Sequence, residues 1–229
     1  VPDRAALLAE VEKRLCRGEG FALASLTAPA ANDRRYVGAL SFGLYSHFAL
    51  GGAEASLGVD LVATGPRTGL SRLQRRVHKV MGMKPPTASA NQIGNRLHPT
   101  ITAELGQTVA LTPALSLRPF VEAQAGVETF ARIGGDITLG SFGQGALMLR
   151  DVTTGQRYRG VDGQPAPGLS LVLGGDVAHV ARSAYLPSGG AAQMRNNRSR
   201  LRAGVHWQGE RASVFYGITR LGREFEHQP

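Results

Sequence analysis

The feature of this chain that most limits its fold is a period-two alternation of apolar and polar residues, which runs through most of the sequence after residue 21. Residues 53–63 are one example, because Leu57, Val59 and Leu61 alternate with small or acidic residues. Successive side chains of an extended strand point to opposite faces, so each such segment predicts a strand with one apolar and one polar face. The sequence therefore predicts an all-β protein.

The predicted strands are long, which bears on where the sheet resides. Alternation in residues 36–50 and 115–129 exceeds the usual length of a globular strand, and the first of these segments has Tyr36, Leu40 and Phe42 on its apolar face. Weaker segments of the same kind are residues 98–112, 131–139, 145–151, 166–178, 199–208 and 211–221. About ten strands of this length favour an antiparallel up-and-down transmembrane β-barrel, whose tilted strands need ~9–11 residues to cross hydrocarbon.

Composition and charge limit the class of protein and its partners. No window has 18 consecutive apolar residues, so a helical membrane span is excluded, and the single Cys16 cannot form an internal disulfide. A net charge of +9 predicts anionic partners, such as lipid headgroups or the phosphorylated sugars of a bacterial outer leaflet. The basic run at 194–202 lacks interleaved aromatic residues and is interpreted as a charged turn, so we expect no nucleic-acid partner.

The N-terminus differs from the rest of the chain. Residues 3–17 have helical spacing, so residues 1–20 are predicted to form a helical segment before a single β-barrel domain at 21–229. The same residues lack the charged start, apolar centre and cleavage site of a signal peptide.

A long interruption of the alternation, at residues 65–97, contains the candidate site. A loop of about thirty residues inside a meander is usually functional or disordered. Ser71 is predicted to cap a short helix that ends at Gly82. The apolar and basic sides of this helix are formed by Leu73, Val77, Val80 and Met81 and by Arg72, Arg75, Arg76 and Lys79. The segment predicts either a solvated basic helix over a barrel rim or an anion-binding surface beside His78.

The same segment resembles the motif of the outer-membrane lipid A 3′-O-deacylases. That motif has Gly-Pro, then Gln four residues before a His, Gly four residues after it, and Gln-x-x-Asn. The matching residues are Gly65, Pro66, Gln74, His78, Gly82, Gln92 and Asn95. Residues 32–47 and 219–228 also resemble stretches of the family, so the resemblance covers residues 25–228.

The resemblance implies a twelve-stranded outer-membrane barrel that hydrolyses the 3′-linked acyloxyacyl chain of lipid A near its extracellular rim. By position His78 would be the general base on water, assisted by a divalent cation, expected to be calcium, whose ligands are not identified. The residues implied in substrate binding are Arg72, Gln74, Arg75, Arg76, Lys79, Gln92 and Asn95. The expected partners are lipopolysaccharide and the bacterial outer membrane.

The sequence also departs from the family pattern. Residues 1–24 contain no Asn-Asp pair, the family's Tyr-Thr is Tyr36-Val37, and Lys84 stands where an acidic residue is expected. The family's last strand would begin near Pro229, so we expect the terminal strands to be missing or replaced. These departures favour one alternative, a catalytically degenerate barrel of the same fold that binds lipopolysaccharide or is structural. The alternation alone leaves another, a soluble β-barrel that binds an anionic ligand.

Overall fold

The computed structural model describes residues 34–84, 86–161 and 166–228, so the predicted N-terminal helix within residues 1–20 lies outside the described residues. The described strands are β1 (Ala39–Leu50), β2 (Ala53–Thr64), β3 (Arg96–Gly106), β4 (Val109–Thr112), β5 (Leu115–Ala125), β6 (Glu128–Leu139), β7 (Leu147–Arg150), β8 (Arg157–Val161), β9 (Gly168–Ser183), β10 (Asn197–Gln208) and β11 (Ser213–Leu221). One α-helix, α1 (Leu70–Val80), and two short 3-10 helices, Pro66–Thr68 and Ala88–Ala90, lie between β2 and β3.

Nine strands form one antiparallel sheet in the order β1-β2-β3-β5-β6-β9-β10-β11, with β4 beside β5. The strands β7 and β8 form a separate hairpin between β6 and β9. The sheet follows chain order and curls, which confirms the predicted all-β, up-and-down antiparallel architecture of the barrel class.

The sheet exposes its apolar face and buries its polar face. In β2, Leu57, Val59 and Leu61 are each about half exposed, whereas Asp60 is buried. The same inversion recurs in β9, where Leu171 and Leu173 are exposed and Asp176 is buried. A soluble barrel buries its apolar side chains in its interior, whereas a transmembrane barrel exposes them to lipid. The exposed apolar face therefore favours the transmembrane prediction over the soluble alternative. No helix of the described residues is long and apolar enough to cross a bilayer.

Ion pairs hold the buried face together. Arg202 of β10 lies 2.6 Å from Asp136 of β6 and also pairs with Asp176 of β9, and Arg200 contacts the same Asp176 at 2.9 Å. These four side chains are almost completely buried. A buried charge that loses its partner is strongly unfavourable, so these contacts join three strands through their side chains as well as their backbones.

The β7–β8 hairpin adds two more arginines to this interior. Arg150 pairs with Glu104 of β3 at 2.8 Å and with Asp136 at 2.9 Å, and its guanidinium lies 3.7 Å from the centre of the Phe120 ring. Arg157 pairs with Glu54 of β2 at 3.1 Å. The hairpin therefore links β2, β3 and β6 across the concave side of the sheet.

Two strand predictions need correction. The strand predicted at 36–50 begins at Ala39. Tyr36 is buried instead of lying on the apolar face, because its backbone pairs with residues 91–93 of the connection between β2 and β3 at 65–95, which we call the rim loop. The single strand predicted at 98–112 is two strands, β3 and β4. The ladder is interrupted opposite Pro119, which has no N–H to donate.

The basic run at 194–202 was interpreted as a charged turn, and this was wrong for most of its length. The strand β10 begins at Asn197, and its residues Arg198, Arg200 and Arg202 pair with acidic residues of β6 and β9. The alternation puts every second residue of this run on the buried face, where a guanidinium requires a carboxylate partner.

Replacing Asp176 tests the importance of the buried ion pairs. We expect Asp176→Leu to lower the free energy of unfolding by about 3–5 kcal/mol, because Arg132, Arg200 and Arg202 all lose a carboxylate partner. The measurement is the temperature at which the folded band in detergent electrophoresis converts to the unfolded band. The control is Val177→Leu on the exposed face, which should behave as the wild type. Equal transition temperatures for Asp176→Leu and the control would contradict this account.

Candidate functional site

The helix α1 lies at the end of the sheet where β2 ends and β3 begins, which we call the helix rim. The chain leaves β2 through Gly65, whose φ of +99° is unfavourable for other residues. A Cβ on Gly65 would also lie 2.6 Å from the backbone nitrogen of Asn95. The Gly-Pro of the motif therefore permits the two ends of the rim loop to pass in contact.

The helix begins earlier than predicted. Its N-cap is Gly69, whose carbonyl oxygen accepts from the amides of Arg72 and Leu73 at 3.0 and 2.9 Å, and Ser71 lies buried inside the first turn. The 3-10 turn at Pro66–Thr68 leads directly into α1, so no capping side chain is needed to start it. Gly82, with a φ of +66°, follows the last turn as predicted.

One side of α1 is fixed to the rim by hydrogen bonds. The Tyr36 hydroxyl donates to Oε1 of Gln74 at 2.9 Å, and the Arg75 guanidinium donates to Oγ of Ser89 at 3.2 Å. Burial raises the pKa of Tyr36, and the nearby charge of Arg75 offsets this only partly. The hydroxyl thus stays protonated at neutral pH and remains a donor to Gln74.

The imidazole of His78 is oriented by a backbone contact. Its Nδ1 lies 2.8 Å from the carbonyl oxygen of Lys84, which can only accept a hydrogen bond. Nδ1 must therefore carry the hydrogen, and in the neutral ring the lone pair is on Nε2. The loop returns to the helix through a second bond, from the amide of Met83 to the carbonyl of His78 at 2.8 Å. The contact from position 84 uses the backbone, so it does not need an acidic side chain there.

The two distal motif residues have different surroundings. Nε2 of Gln92 donates to the Ser89 carbonyl at 3.1 Å, while its Oε1 is buried without a protein partner among the described residues. Asn95 instead accepts from the backbone amide of Arg67 at 2.8 Å. Gln74 and Gln92 thus belong to the group of side chains around Tyr36 and Ser89, whereas Asn95 holds the start of the rim loop.

The remaining predicted residues lie on the solvent side of α1. Arg72, Arg76 and Lys79 are exposed. The predicted apolar side of the helix is also exposed, at 58% for Leu73, 45% for Val77, 87% for Val80 and 66% for Met81. The helix therefore contacts the rim through its polar residues, and both its apolar and its basic sides are open.

The residue after Tyr36 belongs to an apolar core. Val37 is buried and packs with Val62, Ile93 and Val127 beneath the rim. These contacts leave no polar group at position 37, which agrees with the departure noted in the sequence.

The described residues contain no cluster of the side chains that usually bind a cation, since no three His, Cys, Asp or Glu side chains among them come together. Near Ser89, Oε1 of Gln92 is buried without a hydrogen-bond partner among the described residues, but it is an uncharged oxygen. Hard cations prefer several oxygen ligands including carboxylates, so the described residues alone do not make such a site.

The fold and this site define a class: an antiparallel membrane β-barrel whose rim loop carries an oriented histidine on a helix. The chain belongs to the family described as outer membrane protein LpxR, whose model matches residues 24–229. The structure is similar to that of LpxR from Salmonella typhimurium, with a TM-score of 0.72 and 20% identity, over 88% of this chain and 72% of that one. No match was found among curated proteins.

Three contacts of the site were not predicted from the sequence: Tyr36 with Gln74, Arg75 with Ser89, and His78 with the Lys84 carbonyl. The sequence could have indicated Tyr36 as a site residue, since it lies in a stretch that resembles the family. A backbone carbonyl has no signal in a sequence, because every residue has one.

Gly65 and Gly69 provide a test of how the rim loop is held. Gly65→Ala should increase the rate of tryptic cleavage within α1 several-fold, because the new methyl group would overlap the backbone at residues 94–95. Gly69→Ala is the control, since it also has a positive φ but open space around its Cβ position, and it should show a smaller increase. Equal cleavage rates in the two variants would show that contact at Gly65 does not hold the loop.

Proposed function

We propose that this protein is an outer-membrane ester hydrolase that removes the 3′-linked acyloxyacyl chain of lipid A. The observation that carries the proposal is His78, held at Nδ1 by a backbone carbonyl so that Nε2 can accept a proton. Membership of the LpxR family and the likeness to the Salmonella typhimurium protein support this choice of reaction.

The proposed reaction uses His78 as a general base. Nε2 takes a proton from water as the water oxygen attacks the ester carbonyl carbon. The protonated ring then returns the proton to the departing sugar oxygen as the carbon–oxygen bond breaks. The Lys84 carbonyl favours this tautomer and holds the ring in place during both transfers. The products are a free fatty acid and a lipid A hydroxyl.

The basic side of α1 suits a phosphorylated substrate. Arg75 lies one turn before His78, so their side chains are neighbours on the helix surface. Arg72, Arg76 and Lys79 extend this charge along the exposed side of the helix. We propose that these groups bind lipid A phosphates, with Gln74 and Gln92 in the polar group beside them and Asn95 holding the loop.

A divalent cation, calcium by family resemblance, remains part of the proposal. Bound near the ester, it would polarise the carbonyl and stabilise negative charge on its oxygen. Deacylation by purified protein should therefore stop after chelation and return when calcium, but not magnesium, is added back. Full activity in chelator would rule out the cation and leave the role of His78 intact.

Substitution of His78 tests the proposed base. With lipopolysaccharide in detergent micelles, we expect His78→Gln to lower the rate of acyl loss by roughly 10²–10⁴-fold. Glutamine can still donate to the Lys84 carbonyl but is not a base. Mass spectrometry of lipid A measures the loss of the 3′ chain. The matched control is His179→Ala in β9, where His179 contacts Asn197 at the start of β10, and its rate should equal that of the wild type.

Two other results are informative. An unchanged rate for His78→Gln would sink this mechanism. No mass change with folded wild-type protein would favour the degenerate barrel that binds lipopolysaccharide without turnover, the reading that the apolar surroundings of Val37 support.

A further inference from the structure

The apolar side of α1 is a surface that nothing in the proposed reaction uses. Leu73, Val77 and Val80 follow the spacing of one helical face, and all three are exposed, together with Met81 beside them. The helix is attached to the rest of the protein through Gln74 and Arg75, which lie on a different side of it. The exposed apolar face therefore takes no part in holding the helix in place.

Charge around this face is of one sign. Residues 65–97 contain Arg67, Arg72, Arg75, Arg76, Lys79, Lys84 and Arg96 and no Asp or Glu. The exposed cations Arg72, Arg76 and Lys79 lie beside the apolar residues on the same helix. An apolar stripe flanked by basic residues is the pattern of a helix that lies in the interface of an anionic membrane.

The chain connects α1 directly to the apolar wall of the barrel. The helix lies in the connection between β2 and β3, whose nearest outward leucines are Leu61 and Leu97, both exposed. Lipid that covers these two side chains reaches the helix rim. The exposed face of α1 would then extend the lipid-facing surface of the sheet beyond the strand ends.

We propose that α1 docks on the bilayer that surrounds the barrel, with Leu73, Val77, Val80 and Met81 among the upper acyl carbons and the flanking cations at the anionic headgroups. This position does not depend on catalysis. Its consequence rests on the proposed function: docking would hold His78 near the depth at which acyl chains are joined to headgroups.

Nitroxide labels at single cysteines test the docking directly. In a Cys16→Ser background, labels at Val77→Cys and Val80→Cys are compared with labels at Arg72→Cys and Arg76→Cys on the basic side. The protein is placed in vesicles of phosphatidylethanolamine and phosphatidylglycerol, and collision rates with oxygen and with a water-soluble nickel chelate are measured. We expect the oxygen-to-nickel ratio to be several-fold higher at positions 77 and 80 than at positions 72 and 76.

Three results would overturn the docking. Equal ratios at all four positions would mean that the apolar face is in water. Labels at 77 and 80 that are immobile and shielded from both reagents would mean that another part of this chain covers the face. Spin–spin broadening that disappears on dilution with unlabelled protein would mean that a second copy covers it.

A second measurement separates docking from catalysis. We expect Val77→Ser/Val80→Ser to lower acyl loss several-fold from lipopolysaccharide in vesicles but not from detergent micelles. If this variant lost activity in micelles as well as in vesicles, Val77 and Val80 would affect catalysis by a route other than docking on the bilayer. If the wild type is inactive in both media, the proposed function fails while the label experiment still decides the docking.

Discussion

The structure depends on burying charge inside a curled sheet while the opposite face remains apolar. Asp136 pairs with Arg150 of the inserted hairpin and Arg202 of β10, and Asp176 pairs with arginines of both neighbouring strands, β6 and β10. Each of these buried charges would be unfavourable without its partner. The partners meet only when the strand order, the register and the position of the hairpin are all correct. An apolar exterior cannot supply that specificity, because lipid contacts any aliphatic side chain about equally well.

This rigid interior gives the helix rim a fixed base. The core around Val37, Val62 and Ile93 lies beneath the rim, and the backbone of Tyr36 pairs with the strand-like residues 91–93 above it. From this base a small number of polar contacts set the rotation of α1 about its axis. That rotation leaves the apolar and basic sides of α1 open, and the turn after the helix brings the Lys84 carbonyl to His78. The proposed chemistry and the proposed membrane contact thus use different sides of one helix.

Much of the fold was predictable because a two-residue period has a direct physical meaning. Alternation identified most strands and their two faces, and the motif around His78 identified the family. Each wrong prediction has a specific structural cause. Tyr36 left the predicted strand because its backbone had partners in a distant loop, and the ladder was interrupted opposite Pro119, which has no N–H. The arginines of β10 were misinterpreted because a run of charge does not show where its partners are.

The sequence by itself determined the class of fold, the position of the rim loop and the histidine within it, since these follow from periodicity and from residue types at fixed spacing. The tertiary structure alone decided which face of α1 is attached, which tautomer His78 adopts and which carboxylate each arginine meets. The attached face of α1 and the arginine pairs depend on contacts between residues far apart in the chain, such as Arg202 with Asp136, whereas the tautomer depends on the turn that brings the Lys84 carbonyl back to His78. No local pattern encodes the contact of Arg202 with Asp136, because it exists only once the strands between the two residues are paired.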